Sequence, residues 1–190
     1  ATERQNNSAA YPTAGGTSRN AILRFDPTAA GTTLTATNDW NLTADLPPNG
    51  ANLGLEGITW VEDSFLVANN FHDDTTNAAY DPNSYPNHGT GLFFVGVEND
   101  GMIYAYALDL TPGSGVYHRV ASFSSGFTKI MELQFDRDLH DFWAVCDDGC
   151  LGRSHVLRLN PSTGKFAVVL RYERPTGMPL TNNEGFAIAP

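Results

Sequence analysis

A strand, a turn carrying Pro or Gly, and a second strand recur along this chain. Each occurrence is followed by a short apolar strand headed by glutamate. The hairpins cover residues 21–35, 102–123 and 155–170, with turns at 27–31, 111–115 and 161–164. Proline fixes the backbone early in each turn and glycine takes the left-handed position, so each unit reads as a β-hairpin. The Glu-led strands are Leu55-Glu56-Gly57-Ile58-Thr59-Trp60, Met131-Glu132-Leu133-Gln134-Phe135-Asp136 and Asn183-Glu184-Gly185-Phe186-Ala187-Ile188. Placed at residues 56–61, 130–136 and 184–189, they bring a carboxylate into an apolar strand. That is costly unless the carboxylate is paired, hydrogen-bonded or bound to a cation. After Glu132 a further strand, 142–146, precedes the next hairpin. The order is inner strand, second strand, outer hairpin. The expected fold is therefore all-β: a β-propeller or a multi-blade segment of one, with four-stranded antiparallel blades and the glutamates near the central axis.

Residues 1–19 are small and polar, as in a linker or peripheral loop, and residues 20–190 form the propeller segment. Two stretches compete for the second strand after Glu56, residues 65–69 and 92–97. Between them 72–90 is rich in Asp, Asn, Pro and Tyr and reads as an insertion loop over one face. No stretch sustains a helical period, so almost no helix is expected. Counting strands, the chain opens on an outer hairpin and closes behind an inner strand. The reading is an incomplete ring, finished by blades of the same polypeptide in preference to a second copy.

The formal charge of −10, from 21 acidic and 11 basic residues, repels phosphate backbones and anionic lipid and argues against nucleic acid as a partner. No apolar run is long enough to span a bilayer. The start Ala1-Thr2-Glu3 fits a removed signal peptide or an excised piece. Cys146 and Cys150 flank Asp-Asp-Gly. A local disulfide is the favoured reading; a zinc site with His140 and His155, or two inert thiols, are the others. A disulfide points to an oxidising compartment, so a secreted, periplasmic or cell-surface protein is expected.

The Glu-Gly strands at 55–60 and 183–187 resemble those of the SdiA-regulated and esterase-like phytase β-propeller families. Residues 133–145, with Leu133-Gln134-Phe135-Asp136 and Phe142-Trp143-Ala144-Val145, resemble their inner-strand pair. Glu132, followed by Leu133, departs from the Glu-Gly pattern. The resemblance implies a secreted or envelope-facing propeller that carries calcium. Gluconolactonase-like propellers, which hydrolyse lactones with a metal, share a similar Glu-Gly start.

Calcium takes six to eight oxygen ligands. Glu56, Glu132 and Glu184 are the candidate set, with Asn69, Asn70, Asp147 and Asp148 at the ends of second strands. The alternative for each glutamate is a hydrogen bond to backbone amides of the next blade. Asp73, Asp74 and Asp81 offer a weaker second calcium site. His72 and His88 are candidate general bases at a pocket mouth, against the ordinary reading as surface histidines. Trp60 and Trp143 are expected to pack between blades, leaving Trp40, Tyr80 and Tyr85 freer to meet a ligand. No nucleophile elbow, phosphate loop or HExxH is present. Two function classes follow: a calcium-binding propeller with a structural or recognition role, or a metal-dependent phosphoesterase or lactonase.

Overall fold

The computed structural model describes residues 1–5, 17–50, 52–181 and 185–188. In chain order the elements are β1 (Thr2–Gln5), β2 (Thr17–Phe25), β3 (Ala36–Asn41), β4 (Leu55–Glu62), α1 (Asp63–Ala68), β5 (His72–Asp73) and β6 (Ala78–Ala79). They continue with β7 (Gly91–Val97), β8 (Met102–Leu108), β9 (Tyr117–Ser124), β10 (Glu132–Asp136), β11 (Asp141–Val145), β12 (Ser154–Asn160) and β13 (Lys165–Tyr172). Every strand pairing is antiparallel. Among the described residues three sheets form, in the orders β1-β2-β3, β4-β7-β8-β9 and β10-β11-β12-β13, with a β5-β6 ribbon beside them. No helix of the described residues is long and apolar enough to cross a membrane.

The middle sheet explains why β7 and β8 read as unbroken apolar runs. Their side chains alternate between two cores. Phe94, Ile103, Ala105 and Ala107 join Leu133, Phe135, Phe142, Leu157 and Phe166 of the third sheet. Val95, Tyr104, Tyr106 and Leu108 join Ile22 and Trp40 of the first sheet, with Leu42 and Leu46 after it. A sheet covered on both faces needs no polar side. The three sheets therefore stack with the middle one buried on both faces.

Three sequence expectations change. Residues 65–69 are not a strand: α1 occupies 63–68, and β7 is the partner of β4. Leu66 is fully buried on that helix, and Asn70, at φ 53°, ends it in the left-handed region. The second strand of the first hairpin begins at Ala36 and not at Thr32. Residues 32–35, three of them threonine, stay exposed, whereas buried Trp40 anchors β3 and donates from Nε1 to the Asp109 carbonyl at 3.2 Å. Strand propensity yields to what the side chain can pack against. The polar N-terminal stretch is in part structural, because β1 and residues 17–19 of β2 pair with each other. The first hairpin thus has a strand ahead of it.

Candidate functional site

The first strands of the two four-stranded sheets, β4 and β10, lie against each other. At Gly57 the backbones come so close that a β-carbon would stand 2.4 Å from the Leu133 amide nitrogen. The Phe135 amide donates to Thr59 Oγ1 at 3.2 Å, linking the same two strands. Glu56 and Glu132 both sit half-buried on this seam. Glu132 Oε1 accepts from the amide of its own neighbour Leu133 at 2.8 Å. Burial pushes the Glu132 carboxyl above its ordinary value of 4.5. The Leu133 amide and the chain's α-amino group pull the other way. Glu184 lies outside the described residues.

The remaining proposed ligands go elsewhere. Asn69 and Asn70 stand at the end of α1, not of a second strand, and Asn69 Nδ2 donates to the Phe65 carbonyl at 2.9 Å. Asp147 and Asp148 do follow β11, at the end where Glu132 opens β10. Asp147 is buried and its Oδ1 accepts from the Gly149 amide at 2.9 Å, capping a short 3₁₀ turn; Asp148 is exposed. Cys146 and Cys150 are paired as a disulfide with Cα atoms 5.9 Å apart. Among the described residues, the one group of His, Cys, Asp or Glu ligand atoms gathered within 4.8 Å is Cys146, Asp147 and Cys150. Both sulfurs are bonded to each other, so neither zinc nor an oxygen-rich calcium shell fits there. No such group stands on the seam among the described residues.

The Glu132 environment gives a signed prediction. A carboxyl whose folded pKa is raised contributes stability that is complete below its unfolded value and is lost as pH rises through the folded one. Glu132→Gln keeps an oxygen for the Leu133 amide and removes the buried charge. The variant is expected to unfold at higher temperature than the parent at pH 7, with the gap closing below pH 4.5. Equal melting temperatures across that range would contradict it.

The stretch 72–90 forms a packed polar cluster. Asp73, Tyr80, Tyr85 and His88 are 1%, 3%, 5% and 5% exposed. Tyr80 donates its hydroxyl to Asp63 Oδ1 at 2.8 Å, and His88 Nε2 lies 3.1 Å from both that hydroxyl and Asp63 Oδ2. His88 Nδ1 donates to the Tyr85 carbonyl, and the Tyr85 hydroxyl donates to Asp73 Oδ2 at 2.5 Å. Burial, reinforced by the neighbouring carboxylates, pushes both phenols up and holds them as neutral donors. The expectation that Tyr80, Tyr85 and Trp40 are free to meet a ligand therefore fails, and His88 is not at a pocket mouth. The aspartates proposed for a second calcium site are each engaged within the protein. Asp73 also accepts from the amides of Thr75 and Thr76, Asp74 pairs with Lys165, and Asp81 accepts from the Asn83 amide.

Sequence reasoning missed the device that recurs here, a buried tyrosine hydroxyl donating to an aspartate. Tyr104 donates to Asp100 at 2.6 Å and Tyr106 to Asp45 at 2.7 Å, besides Tyr80 to Asp63 and Tyr85 to Asp73. A buried phenol needs a partner, and part of the acidic excess serves that need. Comparison with protein-family models, with curated proteins and with solved structures finds no match.

Proposed function

We propose that the three sheets are successive blades of a β-propeller and that the chain serves outside the cell as a structural and recognition scaffold. One observation carries this reading: each four-stranded meander starts on the strand that lies against the start of the other, β4 against β10. In a propeller the first strand of every blade lines the axis. Residues 185–188, expected as part of a third inner strand, form no strand, although they lie along the third sheet. Phe186 stands 5.7 Å from the Trp143 ring, and Ile188 lies beside Gln134–Leu139 on the third sheet. The disulfide favours an oxidising compartment. The buried Asp, Tyr and His groups are locked to one another, which suits a rigid support. Calcium enters this reading only through donors beyond the described residues, Glu184 first.

The blades that complete the ring come, in this reading, from the same polypeptide. The outer face of the third sheet carries Trp143, stacked at 5.5 Å on Tyr172, and Leu170 at 47% exposure. Such a face seeks cover. Light scattering on the isolated chain is expected to show association that weakens in a Leu170→Ser, Tyr172→Ser double variant. A monodisperse monomer with a cooperative melt would overturn the proposal.

A further inference from the structure

Strand alternation places Arg153 and His155 on one face of β12 and its lead-in, and Arg171 and Glu173 on the same face of β13 and its exit. His155 and Arg171 are directly opposite in the ladder. The four line an open cleft of about 360 Å³ with Gly126, Phe127 and Cys150 of the disulfide. The walls are fixed. Phe127 stacks on the His155 ring with centroids 3.7 Å apart. Gly126, at φ +84°, makes this possible: a β-carbon there would lie 2.8 Å from His155 Nδ1. Arg153 Nε is held by both Glu173 oxygens at 3.1 and 2.9 Å.

Two groups in this cleft are left with unused chemistry. Arg153 pairs with Glu173, whereas Arg171, like Arg24, Arg137 and Arg174, has no ion-pair partner among the described residues. In a chain of net charge −10 this guanidinium, set in a cleft, can take an anion. His155 is 5% exposed, and its Nδ1 donates to the Ser125 carbonyl at 3.0 Å. Burial holds the imidazole below its ordinary value, and both arginines add to that. Nε2 of the neutral ring is therefore an acceptor. Two arginines against Glu173 leave one positive charge to balance, which matches a monoanion.

We infer that this cleft binds a small hydroxycarboxylate, its carboxylate on Arg171 and its hydroxyl donated to His155 Nε2. Guanidinium and carboxylate match as two parallel hydrogen bonds. A dianion such as phosphate at neutral pH exceeds the charge the cleft offers, and a plain carboxylate lacks the hydrogen for Nε2.

Titration of the full chain with lactate, followed by the His155 ring resonances in proton–nitrogen spectra at pH 7.5, tests this. Saturation with a Kd on the order of 1 mM is expected, as befits so small a ligand. Acetate, which lacks the hydroxyl, and inorganic phosphate, whose dianion exceeds the cleft's single net positive charge, are expected to bind at least about 5-fold more weakly. Arg171→Gln is expected to weaken lactate binding about 10-fold or more, and Arg171→Lys by less, because it keeps the charge and loses the fork. Arg171 is exposed, so both variants should keep the parent's melting temperature. Absent lactate binding, phosphate or acetate binding as tight as lactate, or unchanged affinity in folded Arg171→Gln would each overturn the assignment.

Discussion

Phe142→Ala lowers the unfolding free energy by about 3–5 kcal/mol, the range for truncating a fully buried aromatic residue. Phe142 has no exposed surface. Its ring lies 5.0, 6.1, 5.0 and 4.6 Å from those of Phe94, Phe123, Phe135 and Phe166. Phe94 and Phe123 belong to the middle sheet and Phe135 and Phe166 to the third, so the cavity opens on the joint between sheets. Neither sheet can close it without sliding against the other. A domain of this length loses about 2–4 °C of melting temperature per kcal/mol. Calorimetry should therefore show a fall on the order of 6–20 °C. A loss under about 3 °C would mean that the rings do not hold the sheets together.

The second large effect belongs to Gly57→Ala. One added methyl group would stand 2.4 Å from the Leu133 nitrogen, 2.8 Å from Leu133 Cβ and 3.0 Å from the Glu132 carbonyl carbon. These atoms belong to backbone or its first side-chain carbon, so no rotamer change relieves the clash. β4 and β10 must separate, and the loss should reach or exceed the upper end of the usual overpacking cost of about 1–3 kcal/mol. Gly50→Ala is the control, because the nearest atom there is the tip of Leu53 at 3.4 Å. Denaturant midpoints report the comparison. A lower midpoint at constant slope for Gly57→Ala and little change for Gly50→Ala is the expected result. Equal midpoints would contradict a close contact of β4 with β10.

Gly57 also shows what was legible in the sequence. The Glu-led apolar pattern of β4 was readable as a strand because it lies in adjacent residues, whereas the close approach of Gly57 to Leu133 was not. The hairpins of β8 with β9 and of β12 with β13 were readable for the same reason: their turn residues and alternation are local. The run Phe65-Leu66-Val67-Ala68-Asn69 was not, since five apolar or neutral residues carry too little period to separate helix from strand. The polar character of 72–90 concealed its burial, because the Tyr85 hydroxyl meets Asp73 only after the chain has folded back. Tyr106 and Asp45 are 61 residues apart, a pairing no local pattern announces. The placement of two candidate metal ligands changed for a related reason. Asn69 and Asn70 were assigned by analogy between strand ends, and the helix moved them. Arg153-x-His155 opposite Arg171-x-Glu173 was open to inspection, given the hairpin register.

The insertion that splits β4 from β7 has a consequence for how the chain folds. The third sheet is one uninterrupted meander over residues 132–172, each strand pairing with the next in sequence. It can zip up from short loops alone. The middle sheet gains β4 only after residues 63–90 have closed a large loop, at an entropic cost that short hairpins avoid. Proteins rich in local contacts reach their transition state sooner. The C-terminal meander is therefore the natural nucleus, and β4 is recruited late, when Leu133 is already in place to receive Gly57.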